Sequence, residues 1–358
     1  MSEDYSALTA SAKAAFPRIA AQAQGDAKKL LAAAEMARSL GLNSEAITLA
    51  LEARSLAGAD GGLRQHAQLL VTSNVPEWHF SIVRDEARNA AYDAALRNCV
   101  RPGASVLDIG TGSGLLAMMA ARAGAGSVVA CEMNPALASA ARDVIGSNGM
   151  GEAVRIVPSH SGDLPVEEFG SRFDVIVSEI ISNNVVGQGA LQVLEDAARR
   201  FLKPGGVMIP ASCQVRVALA YWGGLPKRRL GDVHGFDLSP FNQLEHTPIS
   251  IRRGDARLEL RSAPADLFSF DFPARGAPPP ASASVDLVAT GGPANGVVQW
   301  LRMQLDAEVT YENGPHTPQS CWALLFYPLP QDTTFAASQP VCVRGARTSD
   351  QLWIWAEA

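Results

Sequence analysis

The sequence predicts an α/β protein in three parts: an α-helical N-terminal region, a doubly wound parallel sheet, and a β-barrel-like domain. Three observations carry the prediction. Between about residues 75 and 210, short apolar runs alternate with helix-like segments, the order expected of a parallel sheet with helices on both faces. An Ala- and Leu-rich stretch precedes them, and a series of strand-like runs joined by Gly, Pro and Asp follows. At 358 residues the chain exceeds the roughly 150 of a single domain, so several cores fit within it.

Residues 1–73 form the first predicted region, with helical stretches at Ala12–Gln24, Lys28–Leu40, Ser44–Ala57 and Gly62–Thr72. Asn43-Ser44-Glu45 ahead of Ala46-Ile47 reads as a helix N-cap. The pairing of short helices resembles tetratricopeptide-like hairpins, and a plain helical bundle fits the same pattern. Residues 74–211 form the second region. Ser105–Asp108, Ser127–Ala130, Val154–Val157 and Asp174–Ser178 are apolar enough to be buried parallel strands. Leu115–Ala123, Pro135–Gly146 and Ala190–Phe201 are the intervening helices. Residues 212–358 form the third, with strands expected at Cys213–Tyr221, Arg257–Arg261, Leu267–Phe272, Ser284–Ala289, Gly296–Leu305, Trp322–Pro328, Gln339–Arg344 and Gln351–Ala356.

Composition narrows the setting. Apolar residues make up 47% and charged residues 18%, a globular balance. Acidic side chains outnumber basic ones by 36 to 30, and the net charge of −6 provides no field to hold nucleic acid or an anionic membrane. The longest uncharged stretches, Leu287–Leu301 and Asn313–Gln331, are broken by Gly or Pro, so no membrane span is expected. Met1-Ser2-Glu3-Asp4 lacks the basic start of a signal peptide, which points to a cytoplasmic setting. The five cysteines are scattered with no CxxC pair, so neither a disulfide framework nor a metal site is expected.

The sharpest local signal is Val106-Leu-Asp-Ile-Gly110-Thr-Gly112-Ser-Gly114, a strand running into a glycine turn and then a helix. Its spacing is GxGxG, not the GxGxxG of dinucleotide binders. Asp108, just before the turn, would repel a pyrophosphate but not a cationic or zwitterionic ligand. The next strand closes on Glu132, and an acid at that position can accept both hydroxyls of a ribose. A generic nucleotide-binding turn is the plainer alternative. The pattern resembles class I S-adenosylmethionine-dependent methyltransferases. That resemblance implies Asp108, Gly110, Gly112 and Gly114 around the methionine part of the cofactor and Glu132 on its ribose. It places the loop of His160 and Ser161 near the adenine, although His160 also reads as an ordinary surface-loop residue.

Flanking segments narrow the resemblance. They are Trp78-His79-Phe80 through Asp85, Arg88 and Tyr92, then Ser178-Glu179 through Gly187-Gln188-Gly189, Leu202-Lys-Pro-Gly-Gly-Val-Met-Ile-Pro210, Gly235-Phe-Asp-Leu238, and Ser320-Cys321-Trp322. In that order they resemble the protein arginine N-methyltransferase family over about residues 76–330, nearest the branch with a Gly-Glu-Gly turn and N-terminal helices. The resemblance implies S-adenosylmethionine as cofactor, with Arg88 on its carboxylate, and as substrate an arginine-containing protein or peptide, or free arginine. It also implies a homodimer, built through a helical arm within about Tyr221–Ser262.

The chemistry explains the residue types. A guanidinium is protonated up to a pKa above about 12 and shares its charge over the nitrogens, so it is a poor nucleophile. Carboxylates against two of its nitrogens draw the charge toward them and leave the third free to attack in line. The family places two glutamates there. Glu179 matches the first, whereas the second position holds Gln188, which keeps size and an acceptor oxygen but loses the charge. A weakened enzyme, an enzyme for which Glu179 suffices, a non-arginine acceptor, and a cofactor-binding scaffold all fit that substitution. Two further departures stand out. Ser320-Cys321-Trp322 lacks the histidine that braces the N-terminal helix in relatives, and Trp322 reads equally as a wall of the arginine pocket or as core. Ile82 stands where relatives carry Met.

Overall fold

The computed structural model describes residues 2–357 apart from 170, 226–227, 253, 273–279 and 318–319, and the side chains of residues 2–10 and of Gln188 lie outside that description. The chain opens with α1 (Ser2–Ala23), α2 (Ala27–Ser39), α3 (Asn43–Leu56) and α4 (Gly61–Thr72). Asp26 and Asp60 cap α2 and α4, their side chains accepting first-turn amides. The cap expected at Asn43-Ser44 is absent: Leu42 occupies the cap position with no side-chain bond. Asn43 instead begins the helix, and the Ser44 carbonyl accepts the Thr48 hydroxyl. Leu30, Ala34, Ile47, Ala50, Ala67 and their neighbours form a core of small and branched side chains that also takes in Ala136. The Asn134 amide donates to the Asn74 carbonyl beside it, so the bundle abuts the next layer.

After α5 (Trp78–Val83) and α6 (Glu86–Cys99) comes the alternating region: β1 (Ser105–Ile109), α7 (Leu115–Arg122), β2 (Ser127–Cys131), α8 (Pro135–Ser147), β3 (Val154–Val157), β4 (Phe173–Ser178), α9 (Ala190–Phe201) and β5 (Leu202–Ile209). The strands form one parallel sheet in the order β3-β2-β1-β4-β5. Its order reverses between β1 and β4, and the carboxyl edge at such a reversal is where open α/β sheets bind ligands. Val106, Leu107, Ile176 and Val177 are fully buried, as a strand covered on both faces requires.

The remaining strands are antiparallel: β6 (Ser212–Trp222), β7 (Asp232–Val233), β8 (Phe236–Asp237), β9 (Ile249–Ile251), β10 (Leu258–Leu260), β11 (Ala265–Asp271), β12 (Ser282–Val288), β13 (Gly292–Gln304), β14 (Thr310–Glu312), β15 (Leu324–Phe335), β16 (Pro340–Arg347) and β17 (Leu352–Glu357). The larger sheet runs β10-β6-β13-β15-β9, with β11 on β6 and β14 on β13, and β12-β16-β17 form a second. In place of the expected helical arm, β7 and β8 make a short hairpin turning at His234-Gly235, both in left-handed conformation. A short 3-10 segment, Ser239–Leu244, follows it. Gly231, Gly235, Pro240 and Pro248 interrupt this segment and leave no stretch long enough for a stable helix.

Candidate active site

Strand register assembles the site. Ile109 pairs with Cys131 on one side and Ser178 on the other. The residues that follow, Gly110, Glu132 and Glu179, therefore emerge together at the carboxyl edge. The Gly110 and Thr111 amides both donate to the Cys131 carbonyl, holding the glycine turn against β2. Gly110 has φ +71°, and a Cβ there would lie 2.4 Å from Ile180 Cγ2, so the loop after β4 packs directly on the turn. Gly112, at φ +55°, has no atom nearer than 4.0 Å to where its Cβ would stand, which leaves an open cradle above the turn. Gly114 caps α7 in left-handed conformation.

Carboxylates line this cradle. Glu132 accepts the Gly112 amide at 3.0 Å and the Asn134 amide at 2.8 Å. Burial raises its pKa, with those amides pulling it back. Asp108 is fully buried, and its Oδ2 accepts the Thr111 hydroxyl at 2.5 Å. Its Oδ1 has no hydrogen-bond partner among the described residues. Burial pushes this carboxyl up to about 7. An orphaned buried oxygen beside an open glycine cradle suits a ligand that brings a donor or a positive charge.

Glu179 lies on the same edge, its side chain 5% exposed and paired with Arg88 Nη1 at 2.5 Å. Burial lifts its carboxyl to about 7, while the Arg88 guanidinium pulls it down. Arg88 reaches it from the first turn of α6, its remaining nitrogens on Asn89 Oδ1 and its guanidinium over the Tyr92 ring. The Tyr92 hydroxyl donates to the Ser178 carbonyl at 3.1 Å, tying α6 to the end of β4. The loop after Glu179 is braced from the antiparallel sheet by Gln299, fully buried on β13, which donates to the Asn183 carbonyl at 2.8 Å.

The expected site residues Arg88, Asp108, Gly110, Gly112, Gly114, Glu132 and Glu179 thus share one edge of the sheet. Gln188 sits in the 3-10 turn Gly187–Gly189, ahead of α9, and its side chain lies outside the described residues. His160 uses Nδ1 to accept the Gly162 amide, capping its own loop after β3, and Ser161 beside it is buried. Trp322 is buried against the Tyr311 ring, 5.6 Å between centroids, within the core shared by both sheets. Asp85 and Tyr92 stand in the flanking segment without an assigned role in the sequence, and Asn89, Gln299 and Tyr311 carry no motif there. Asp85 carried a signal, since an acid three residues before Arg88 at a helix start is a capping pattern. The others depend on contacts across long stretches of chain.

The chain is similar to several known proteins. The profile of the family described as "Ribosomal protein L11 methyltransferase (PrmA)" matches residues 94–212. An arginine N(omega)-methyltransferase of Streptomyces achromogenes subsp. streptozoticus is 35% identical over 331 residues, covering 91% of this chain and 88% of that protein. Protein arginine N-methyltransferase 1.6 of Arabidopsis thaliana is 29% identical, covering 66% of this chain but only 36% of its own length. Among solved structures, the Trypanosoma brucei PRMT1 enzyme–prozyme heterotetrameric complex with AdoHcy superposes with a TM-score of 0.67 at 21% identity, over 75% of this chain and 86% of that one. That likeness is one of fold.

Proposed function

Because the chain belongs to the arginine N-methyltransferase family, we propose that it transfers a methyl group from S-adenosylmethionine to a guanidino nitrogen of arginine. One observation carries the reading: Glu179 is a buried carboxylate at the sheet's ligand edge, already engaged with a guanidinium, that of Arg88. A carboxylate that holds one guanidinium in a dry cleft has the shape and charge to hold another.

The residues around the glycine turn fit the cofactor. The open cradle at Gly112, the unpaired Asp108 oxygen and the Glu132 carboxylate offer partners to a molecule with a cationic amine and ribose hydroxyls. Arg88 would hold the methionine carboxylate. When bound, S-adenosylmethionine supplies a methyl group on a sulfonium, which leaves as a neutral thioether. The chain's own part is positioning and charge. Glu179 orients the acceptor guanidinium and draws its positive charge away from the attacking nitrogen. Methylation of a guanidinium requires loss of one proton, and Glu179 Oε2, with its carboxyl near 7, is basic enough to accept it. Burial raises the pKa of both carboxyls, Glu179 and Asp108, and once they are ionised it strengthens their pull on a cation by excluding water.

Free arginine is the acceptor that we favour over an arginyl residue in a protein. The support is that the relative named for arginine itself matches 91% of the chain, whereas the one named for protein arginine matches 66% of it. The reading extends to a cytoplasmic homodimer formed through the β7–β8 hairpin and the 3-10 segment after it, where Phe236, Phe241 and Leu244 are exposed, and to tetratricopeptide-like packing of α1–α4. Mass spectrometry of free arginine and of an arginine-rich peptide, each incubated with protein and S-adenosylmethionine, tests the acceptor. Methylarginine from the free amino acid alone supports the reading, methylation of the peptide alone transfers it to proteins, and methylation of neither refutes it.

A further inference from the structure

Asp85 is a buried carboxylate, 2% exposed, that none of the chemistry above uses. It caps α6: Oδ1 accepts the Arg88 amide at 2.9 Å, and the Asp85 carbonyl accepts the Asn89 amide. Its other oxygen faces the antiparallel sheet. Oδ2 accepts the Tyr311 hydroxyl at 2.6 Å and the Cys321 amide at 2.8 Å, and the Ser320 side chain bonds to the same carboxylate. Tyr311 stands on β14, 4% exposed, with its ring against Trp322. One carboxylate therefore joins the first turn of α6 to a strand more than two hundred residues further along the chain. The Tyr311 bond is short and charge-assisted, the stronger class of hydrogen bond. Arg88, whose guanidinium pairs with Glu179 at the sheet edge, is fixed at its backbone by the same carboxylate.

We propose that Tyr311 is a positioning residue for methyl transfer. Through Asp85 its hydroxyl locks the start of α6, and with it Arg88, in the place where the cofactor carboxylate binds. The inference rests on the methyl-transfer reading above, and the two fail differently. Removing the hydroxyl leaves the Cys321 amide and Ser320 on Asp85, so α6 keeps its cap but loses its tightest link to β14. Arg88 then spends less time in the binding position. The loss appears in cofactor affinity rather than in the chemical step.

The test uses the full chain, with S-adenosylhomocysteine as a non-reacting probe in calorimetry and steady-state kinetics with S-adenosylmethionine. Tyr311→Phe is expected to weaken S-adenosylhomocysteine binding about tenfold and to raise the KM for S-adenosylmethionine similarly. Its kcat at saturating cofactor should stay within about twofold of wild type. Asp85→Asn should weaken binding at least as much, and the double variant should be no worse than Asp85→Asn alone, because the two side chains act as one link. Asp85→Asn also decides the matter if Tyr311→Phe does not fold: cofactor affinity unchanged in it overturns the proposal. So does a Tyr311→Phe protein that melts earlier yet binds S-adenosylhomocysteine as wild type does. Wild-type protein that binds no S-adenosylhomocysteine overturns instead the methyl-transfer reading.

Discussion

Replacing Glu179 by Gln isolates the charge on which the chemistry depends. The amide keeps the size of the side chain and one acceptor for Arg88 Nη1, but leaves a guanidinium that is 3% exposed without its counter-charge. Breaking a buried pair by removing one charge costs about 3–5 kcal/mol of stability. Here the loss at neutral pH falls at the low end, because burial already holds the Glu179 carboxyl near 7 and part of the population is protonated. For turnover, losing one preorganised electrostatic contact lowers kcat by about 10²–10³, or roughly 3–4 kcal/mol of barrier. The pH dependence has a defined sign. A carboxyl raised to about 7 carries its charge only above that pH. The wild-type advantage in kcat/KM is therefore full at about pH 8 and shrinks roughly tenfold per unit below 7. Cofactor affinity moves the other way or not at all, since Arg88 is released from Glu179. Methylarginine formation followed by mass spectrometry across pH, with calorimetry of S-adenosylhomocysteine, gives both quantities. A Glu179→Gln enzyme within about twofold of wild-type kcat at alkaline pH would refute the reasoning.

Other expectations follow from the same geometry. Arg88→Lys replaces a forked donor with a point charge and should weaken S-adenosylhomocysteine binding about 10-fold or more by calorimetry; unchanged affinity removes Arg88 from the cofactor site. Asp108 has its folded pKa raised to about 7, so it contributes stability below its unfolded value of about 3.9 and loses it as pH rises through 7. The melting temperature of ligand-free wild type should accordingly fall more between about pH 5 and 8 than that of Asp108→Asn, and equal slopes would remove Asp108 as the cause. Gln188→Glu adds the second carboxylate of the family's Gly-Glu-Gly turn and should raise kcat at alkaline pH; a rate unchanged or lower would mean that Glu179 alone sets the charge. Sedimentation of wild type should show the proposed dimer and Phe236→Asp with Phe241→Asp a monomer; a monomeric wild type refutes the dimer, and an unaltered coefficient in the variant excludes the hairpin and the 3-10 segment after it from the interface.

The legible part of this protein was the part whose causes are local. The parallel strands could be read because each is a short apolar run beside a helical period. Gly110, Glu132 and Glu179 could be placed together because parallel pairing brings successive strand ends to one edge. The bracing of that edge was not legible. Tyr311 reaches Asp85 across 226 positions and Gln299 reaches Asn183 across 116, and neither lies in a recurring motif. The Asn43 cap failed for a different reason: α3 starts without side-chain capping, so a favourable residue type near a helix start did not fix its role. Ser320-Cys321 showed that an expected histidine was missing, but only the fold showed the Cys321 amide and the Tyr311 hydroxyl meeting the carboxylate of Asp85.

The most direct test of the account is a crystal structure of the protein with both S-adenosylhomocysteine and arginine bound. The account predicts an exchange of partners, with Arg88 on the carboxylate of the homocysteine moiety and the guanidino group of arginine in its place on Glu179. An Arg88–Glu179 pair left intact beneath both ligands, with the arginine guanidino group elsewhere, would contradict it.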